Sequence, residues 1–260
     1  GTSVVRYAGN NIESILGGSG GVTFGFADNT TKNVTLTDVG TTTGFKGVVN
    51  GIEFDDVDNL NVGTATDDSL TGMNADATWN FGATNTYARG GRSLTFSGFE
   101  LLIGNGGADT FTFGDGATFN GSINGGAGND GLLFTNYTTA RNVTLASVGA
   151  TDGFNGTTST ITNGFSNINA IVGSSANGDV LSGATLNNNW TTTRVAVGAN
   201  TLTFNGIESL VGGTGNDTLT FSGAATLSAL GTVDGFDVTV AGFNGLFRNI
   251  NAVVGNGVAD

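Results

Sequence analysis

The sequence contains no proline, no cysteine and no histidine among its 260 residues. The lack of cysteine excludes a disulfide framework, and the joint lack of cysteine and histidine excludes metal sites built from thiolate and imidazole ligands. Thiol nucleophiles and histidine-based acid–base catalysis are excluded for the same reason. Basic residues are scarce, at eight against 21 acidic residues. A groove that follows nucleic-acid phosphates needs clustered Lys and Arg, so we expect no nucleic-acid partner.

Long hydrophobic runs are also missing. No apolar stretch approaches the ~20 residues that a membrane-spanning helix needs, and no membrane span is expected. Glycine is abundant, at 46 residues, yet hydrophobic residues make up 38% of the chain and include 18 phenylalanines. Disordered chains lack such residues, so the composition indicates a folded chain. The length suits one large all-β domain.

One sequence block occurs three times, beginning at Ile12, Phe99 and Ile207. Each copy has a glutamate at its second position: Glu13, Glu100 and Glu208. The two spacings, 87 and 108 residues, differ by 21. The extra residues lie at about 120–140 and carry their own turn and apolar stretch, as one coil of a solenoid does. The repeat predicts one continuous β-solenoid over 1–260 with copies at about 1–92, 93–200 and 201–260, the last incomplete.

A turn of the form Gly-x-x-x-x-Asp recurs along the chain. Its copies end at Asp68, Asp109, Asp130, Asp217 and Asp260, and a version one residue longer ends at Asp179. Most of the gaps between these aspartates lie near one or two times 21 residues. A coil of that size would fit about twelve times into the chain.

Apolar and polar residues alternate after the turns, as in Asp109–Phe113 and 217–221. A period of two with Thr, Val and Phe predicts strands. We therefore expect an all-β fold, a single-stranded parallel β-helix of about twelve coils of roughly 21 residues, with a right-handed coil. Central strands exclude proline, and sharp corners favour glycine. Asn169 and Asn251 suit either amide ladders between coils or simple turn positions.

The turn motif also carries the most specific resemblance in the chain. The segments Gly-Gly-Thr-Gly-Asn-Asp from Gly212 and Gly-Gly-Ala-Gly-Asn-Asp from Gly125 resemble the nonapeptide of RTX, or haemolysin-type, calcium-binding proteins. The matching positions are Gly212, Gly213, Gly215 and Asp217, and Gly125, Gly126, Gly128 and Asp130. The resemblance implies a Ca²⁺ site, for which Asp109, Asp130 and Asp217 are the candidate ligands.

This chain departs from the RTX pattern because its motifs do not follow one another in tandem. Only Asp109 and Asp130 are one coil apart, and Val22 replaces the aspartate in the first block. The alternative interpretation is an Asx-type turn, in which the aspartate accepts hydrogen bonds from backbone N–H groups. No cofactor is required under that interpretation.

Glycosidases require a carboxylate pair, and lyases add a basic residue that takes a proton. We find no convincing constellation of either kind. The acidic cluster at Glu53–Asp58 lies at a turn, and only Arg89 and Arg92 form a close basic pair. The recurring glutamates, like Trp79 and Trp190, are present in more than one copy, which indicates a structural role. We predict that the protein is not an enzyme, with a β-helical polysaccharide lyase or hydrolase as the alternative.

Taken whole, the chain resembles long repetitive surface proteins of bacteria, including haemagglutinin-type adhesins. The resemblance lies in an acidic, cysteine-free composition rich in Gly, Thr and Asn over nearly the full length. It implies export, an extracellular location at the cell surface or in the biofilm matrix, and a stiff structural or adhesive role. The implied partners are further copies or flanking repeats, and cell-surface glycans. A calcium-binding S-layer protein is the nearest alternative.

Overall fold

The computed structural model describes residues 3–7, 14–26, 28–183 and 185–255, with residues 3–7 and 14 described by their backbone alone. No helix occurs in this part of the chain, and the regular structure consists of strands. The predicted all-β class is therefore confirmed. The chain divides into two compact units, Gly1–Asp130 (unit 1) and Gly131–Asp260 (unit 2).

Unit 1 consists of short strands that pair into two sheets. Its described strands are β1 Ser3–Tyr7, β2 Ser14–Leu16, β3 Val22–Phe26, β4 Asn33–Val39, β5 Phe45–Val49, β6 Ile52–Val57, β7 Asn59–Asn61, β8 Ser69–Thr71, β9 Ala77–Phe81, β10 Asn85–Arg89, β11 Arg92–Ser97, β12 Leu101–Ile103, β13 Asp109–Phe113 and β14 Ser122–Asn124. The first sheet has the order β1-β3-β7-β11-β10-β9-β13, and the second has the order β2-β6-β5-β4-β8-β12-β14.

Unit 2 repeats this architecture. Its described strands are β15 Gly131–Leu133, β16 Asn142–Val148, β17 Phe154–Thr158, β18 Ile161–Ile168, β19 Ala170–Val172, β20 Val180–Ser182, β21 Asn189–Trp190, β22 Arg194–Val197, β23 Asn200–Asn205, β24 Ser209–Val211, β25 Thr218–Phe221, β26 Ala225–Leu230, β27 Phe236–Val240, β28 Leu246–Ile250 and β29 Ala252–Gly255. The first sheet has the order β15-β19-β23-β22-β21-β25-β29, and the second has the order β18-β17-β16-β20-β24-β28-β27-β26.

The hydrophobic core of unit 1 lies between its two sheets. Successive residues of a strand point to opposite faces, so the apolar half of each alternating segment turns inward. Phe24 of the first sheet meets Phe54 of the second with ring centroids 5.9 Å apart. Along the first sheet, Phe81 stacks on Phe113 of the neighbouring parallel strand at 4.4 Å. Such aromatic pairs contribute about 0.5–1.5 kcal/mol beyond the burial of their area.

Both units differ from a uniform stack of parallel coils. Among the described strands, five groups of three form antiparallel meanders within one sheet: β4–β6, β9–β11, β16–β18, β21–β23 and β26–β28. The outer strands of a meander still pair in parallel with the strands beyond it, as β4 does with β8 and β6 with β2. The sheets are therefore mixed, and among the described strands the parallel pairing expected from the repeat holds outside the meanders.

Tight hairpin turns explain the antiparallel pairing. Asn50 and Gly51 connect β5 to β6 with φ of 49° and 85°, and Gly90 and Gly91 connect β10 to β11 with φ of 56° and 72°. A two-residue loop with positive φ at both positions is typical of a type I′ turn, which joins neighbouring antiparallel strands. The dipeptides Asn-Gly and Gly-Gly are the local signal for these turns in the sequence.

Candidate functional site

The aspartates that end the Gly-x-x-x-x-Asp turns are buried. Each directly precedes or begins a strand, at the corner where the chain passes from one sheet to the other. We call them the corner acids: Asp68, Asp109, Asp130, Asp179 and Asp217. Each has 0% of its surface exposed. Asp260 and Glu13, which the repeat groups with these residues, lie outside the described part of the chain.

In unit 1 the structure brings two of the predicted calcium ligands together. The backbone N–H of Asp109 donates to Oδ1 of Asp130 at 2.8 Å. The carboxylate of Asp109 in turn accepts hydrogen bonds from Trp79 Nε1 at 3.3 Å and from the backbone N–H of Ala77. Ala77 lies opposite Asp109 in the parallel pair of β9 and β13. Each carboxylate therefore caps the first amide of a strand in the neighbouring layer.

Unit 2 contains the same arrangement with different side chains. The backbone N–H of Asn188 donates to Oδ1 of Asp217 at 3.0 Å, and the Asn188 side-chain amide donates to the same oxygen at 2.7 Å. The backbone N–H of Asp217 donates to Oδ1 of Asn251 at 2.8 Å. Asn251 thus caps a strand, as a turn residue does, and Asp217 lies in a different unit from Asp109 and Asp130.

At the corners where the chain passes from the first sheet to the second, an aspartate and a glutamate accept hydrogen bonds from successive layers. The backbone N–H of Lys32 donates to Asp68 Oδ1 at 2.6 Å, and the backbone N–H of Asp68 donates to Glu100 Oε2 at 3.0 Å. In unit 2, Asp179 accepts from the backbone N–H of Arg141 and donates its own N–H to Glu208 Oε2 at 2.9 Å. Glu100 and Glu208 of the repeated block therefore cap strands too, as their recurrence indicates.

The glycines of the turn motif make room for these contacts. A Cβ atom on Gly104 would lie 2.7 Å from Asp109 Oδ2, and one on Gly212 would lie 2.5 Å from Asp217 Oδ2. Gly126 and Gly128 have φ of 102° and 135°, a region that L side chains rarely adopt. A Cβ atom on Gly128 would also lie 1.8 Å from the carbonyl oxygen of Gly107, so the turns stack closely.

Burial changes the acidity of the corner acids. Loss of solvation, followed by the negative charge of Asp130, raises the pKa of Asp109 to about 8, although the N–H donors around it favour the charged form. Burial also raises the pKa of Asp217, against the two N–H donors of Asn188. Burial raises the pKa of Asp68 in the same way. The environment of Asp109 thus combines burial with a neighbouring acid.

The corner acids are placed to accept hydrogen bonds from neighbouring backbone groups. A general acid or base must come within hydrogen-bond reach of its substrate, and none of the corner acids has exposed surface. Calcium takes six to eight oxygen ligands. Among the described residues, no group of three or more Asp, Glu, His or Cys side chains is arranged to hold a metal ion. In unit 1 the Asp109–Asp130 pair would need backbone oxygens to complete a calcium site.

The other candidates from the sequence also contact the backbone or the core. Asp56 of the acidic cluster accepts from the backbone N–H groups of Thr42 and Thr43 at 2.6 and 3.1 Å. Arg89 donates to the carbonyl of Asp76 at 2.5 Å. Trp79 and Trp190 have 0% exposure and fill the core. The repeated tryptophans are therefore packing residues.

Two capping residues have no counterpart in the sequence predictions. Asn167 Oδ1 accepts from the backbone N–H of Thr151 at 3.0 Å, and Asn249 Oδ1 accepts from that of Val233 at 3.2 Å. Both asparagines have φ of 54°, a conformation in which Asn is enriched. Their signal is the first asparagine of the repeated Asn-Ile-Asn-Ala segment, whose second asparagines are Asn169 and Asn251.

Comparison with known proteins adds no relative. No protein-family model matches the chain, and neither the curated proteins nor the solved structures contain a significant match. In the part of the chain that the structure describes, no helix is long and apolar enough to cross a membrane.

Proposed function

We propose that this chain is a structural, adhesive module of an extracellular bacterial surface protein, built as one continuous right-handed β-solenoid. The observation that carries the proposal is the use of the corner acids. The most conspicuous polar residues of the repeat, such as Asp68, Asp179 and Glu208, accept hydrogen bonds from strand amides. A repeat whose acidic residues are occupied in this way suits a scaffold better than a reaction centre, and we propose no enzymatic activity.

Adhesion requires an exposed contact surface, and unit 2 has a shallow groove that suits a glycan. The half-buried Phe243 and the buried Phe204 line it together with Thr193, Asn205 and Asn244. An apolar ring surrounded by hydroxyl and amide groups matches the mixed polarity of a sugar. Replacement of Phe243 by Ala should weaken binding to a glycan array, and Ala199→Lys, an exposed turn residue outside the groove, is the matched control.

The proposed location is tested on intact cells of the organism that encodes the chain. Antibodies raised against residues 1–260 should label unpermeabilised cells, and brief external protease should remove the signal. A cytoplasmic marker protein should stay intact under the same treatment. A signal that appears only after lysis would contradict the surface location.

The calcium-binding S-layer alternative rests on the proximity of Asp109 and Asp130. A strongly bound ion stabilises the folded state by RT ln(1 + [L]/Kd), about 4 kcal/mol at 1,000 times Kd. Chelator should then lower the melting temperature by about 8–16 °C, and the variant Asp130→Asn should abolish that response. We expect only a modest effect of chelator, because backbone amides already occupy the carboxylates.

A further inference from the structure

Three meanders of the second sheets are equivalent, yet one of them is not covered. β4–β6, β16–β18 and β26–β28 share the same pairing, with a bulge in the first strand. Leu36 of the first meander is 2% exposed, whereas the equivalent Leu227 of the third is 53% exposed. Phe45 is fully buried, whereas the equivalent Phe236 is 39% exposed. Leu230 and Val233, beside them, are exposed as well.

The first two meanders indicate what covers such a surface. The short strand β8 pairs in parallel with β4 and places Leu70 opposite Val34. In unit 2, β20 pairs in the same way with β16 and places Leu181 opposite Val143. Leu70 and Leu181 are both fully buried. A parallel strand with an apolar residue at its centre is therefore the natural cover of this edge.

The last described strand of the first sheet of unit 2 also lacks the covering strand that its equivalents have. β29 is equivalent to β7 and β19, which follow the other two meanders. β7 and β19 each carry a further parallel strand, β11 and β23 respectively. Among the described residues β29 pairs only with β25, and Val254 is exposed. Together, β26 and β29 form what we call the unit 2 edge.

Unit 1 offers the matching pair of strands. In the described residues β1 pairs only with β3 and β2 only with β6, both in parallel, and these two strands form the unit 1 edge. β2 has the sequence Ser-Ile-Leu, close to the Ser-Leu-Thr of β8, and Leu16 is 77% exposed. If β2 paired with β26 in the register that β8 has with β4, Ile15 would lie opposite Ala225. Ala225 is the equivalent of Val34, because it pairs with Val240 as Val34 pairs with Val49.

We infer that the unit 2 edge binds the unit 1 edge of a second copy of this chain by parallel strand addition in both sheets. This inference rests on the structural role proposed above and specifies its partner. The contact joins two different surfaces, so each copy keeps one free edge after binding. Open edges with exposed apolar residues are templates for further pairing, and such contacts continue into chains of subunits.

Substitutions at the two edges test the inference with the whole chain. Leu227→Lys combined with Leu230→Lys blocks the unit 2 edge. Leu16→Pro blocks the unit 1 edge, because the N–H of Gly17 donates to Asp55 of β6 and the N–H of Leu16 therefore faces the open side of β2. All three side chains are largely exposed, so the subunit should fold with an unchanged circular dichroism spectrum. Ala199→Lys and Ala83→Pro, at exposed hairpin positions of the two units, are the matched controls.

Sedimentation velocity over a concentration series gives the readout. The natural chain and the controls should form a ladder of oligomers. Each blocked variant alone should associate at least about 10-fold more weakly, because one set buries an unpaired ammonium in the contact and the other removes a strand hydrogen bond from it. An equimolar mixture of the two blocked variants keeps one complementary pair of edges. The mixture should form dimers and no larger species.

Two results would overturn the inference. One is a natural chain that stays monomeric up to its solubility limit, and the other is a pair of blocked variants that associate as strongly as the controls. Neither result bears on the surface location, which the labelling of intact cells tests separately. A failure of cell labelling would likewise leave the oligomer ladder intact, so the two proposals fail independently.

Discussion

The corner of unit 1 around Asp109 and the corner of unit 2 around Asp217 have the same geometry and different electrostatics. In unit 1, the neighbours are Ala77, which offers no side-chain donor, and Asp130, which carries a second carboxylate. In unit 2 they are Asn188, which adds a side-chain donor, and Asn251, which is neutral. The comparison teaches that either an aspartate or an asparagine can cap a strand at this position. The residues around a capping aspartate then determine its pKa.

The largest expected effect is the loss of the Asp217 carboxylate. Asp217→Ala leaves the buried backbone N–H of Asn188 without its acceptor, at about 1–3 kcal/mol, and takes from the Asn188 side-chain amide one of its three acceptors, at about 1 kcal/mol. Unit 2 should therefore lose about 2–4 kcal/mol of unfolding free energy at pH 7. Urea unfolding followed by Trp190 fluorescence in a Trp79→Phe background measures it. Asp217→Asn keeps an acceptor and should lose much less; equal losses would contradict the capping role.

The second effect is a pH dependence of unit 1 that Asp109 dominates. The pKa of Asp109 is raised in the fold to about 8 from 3.8, so its neutral form is favoured. Its contribution to stability is complete below about pH 4 and is lost as the pH rises towards 8, at up to about 1.4 kcal/mol per pH unit. Urea midpoints followed by Trp79 fluorescence in a Trp190→Phe background should fall between pH 5 and pH 9.

Asp109→Asn is the control for that titration. The amide keeps the acceptor, as Asn251 does, and has no charge to titrate in this range. The urea midpoint of the variant should fall less between pH 5 and pH 9 than that of the natural chain and should exceed it at pH 9, with Asp68 accounting for part of the dependence that remains. An undiminished pH dependence in the variant would assign the effect to another group.

A third, smaller effect should make unit 2 resemble unit 1. Asn188→Ala removes the side-chain donor that holds the pKa of Asp217 down, and its loss should cost about 1–2 kcal/mol. The pKa of Asp217 should rise further, so the stability of unit 2, followed by Trp190 fluorescence, should fall more steeply with rising pH than in the natural chain. Thr192→Ala, at a half-buried position beyond β21, is the comparison variant. If stability drops without a steeper pH dependence, Asn188 acts through packing alone.

The smallest effect concerns Asp130. Asp130→Asn removes the like charge beside Asp109 and keeps an oxygen for the Asp109 amide. The pKa of Asp109 should fall, and unit 1 should gain about 1 kcal/mol at pH 9. A ¹³C-detected titration of the Asp109 carboxyl carbon reports the shift directly. An unchanged titration midpoint would show that burial alone sets the acidity.

Several of these features could be predicted from the sequence. The alternation in 109–113 places Phe111 and Phe113 in the core, and both are fully buried. The spacing of 21 residues predicts that Asp109 and Asp130 lie one coil apart, and a hydrogen bond joins the two residues in the structure. The Asx-type alternative for these aspartates anticipated the capping of backbone amides. It missed that the capped amide belongs to the neighbouring layer, because a local turn motif contains no information on partners outside it.

Other features depend on three-dimensional context that repeats do not encode. The meanders follow from two-residue turns such as Asn50-Gly51, whereas block repeats record only which segments recur. The donor role of Asn188 depends on how its turn orients the amide towards Asp217 and Gly212. The raised pKa of Asp109 depends on burial, because an acidic turn in sequence is usually solvated. The meanders, the Asn188 hydrogen bond and the Asp109 pKa all depend on tertiary packing.

Amide hydrogen exchange tests the central claim, that the corner acids cap strands, most directly. The N–H groups of Lys32, Asp109 and Asn188 stand at strand starts and donate to corner acids. At pH 6, followed by NMR, they should exchange as slowly as the central amides of the strands beside them, because opening requires unfolding of the layer. Exchange at the rate of an exposed turn amide would contradict the account.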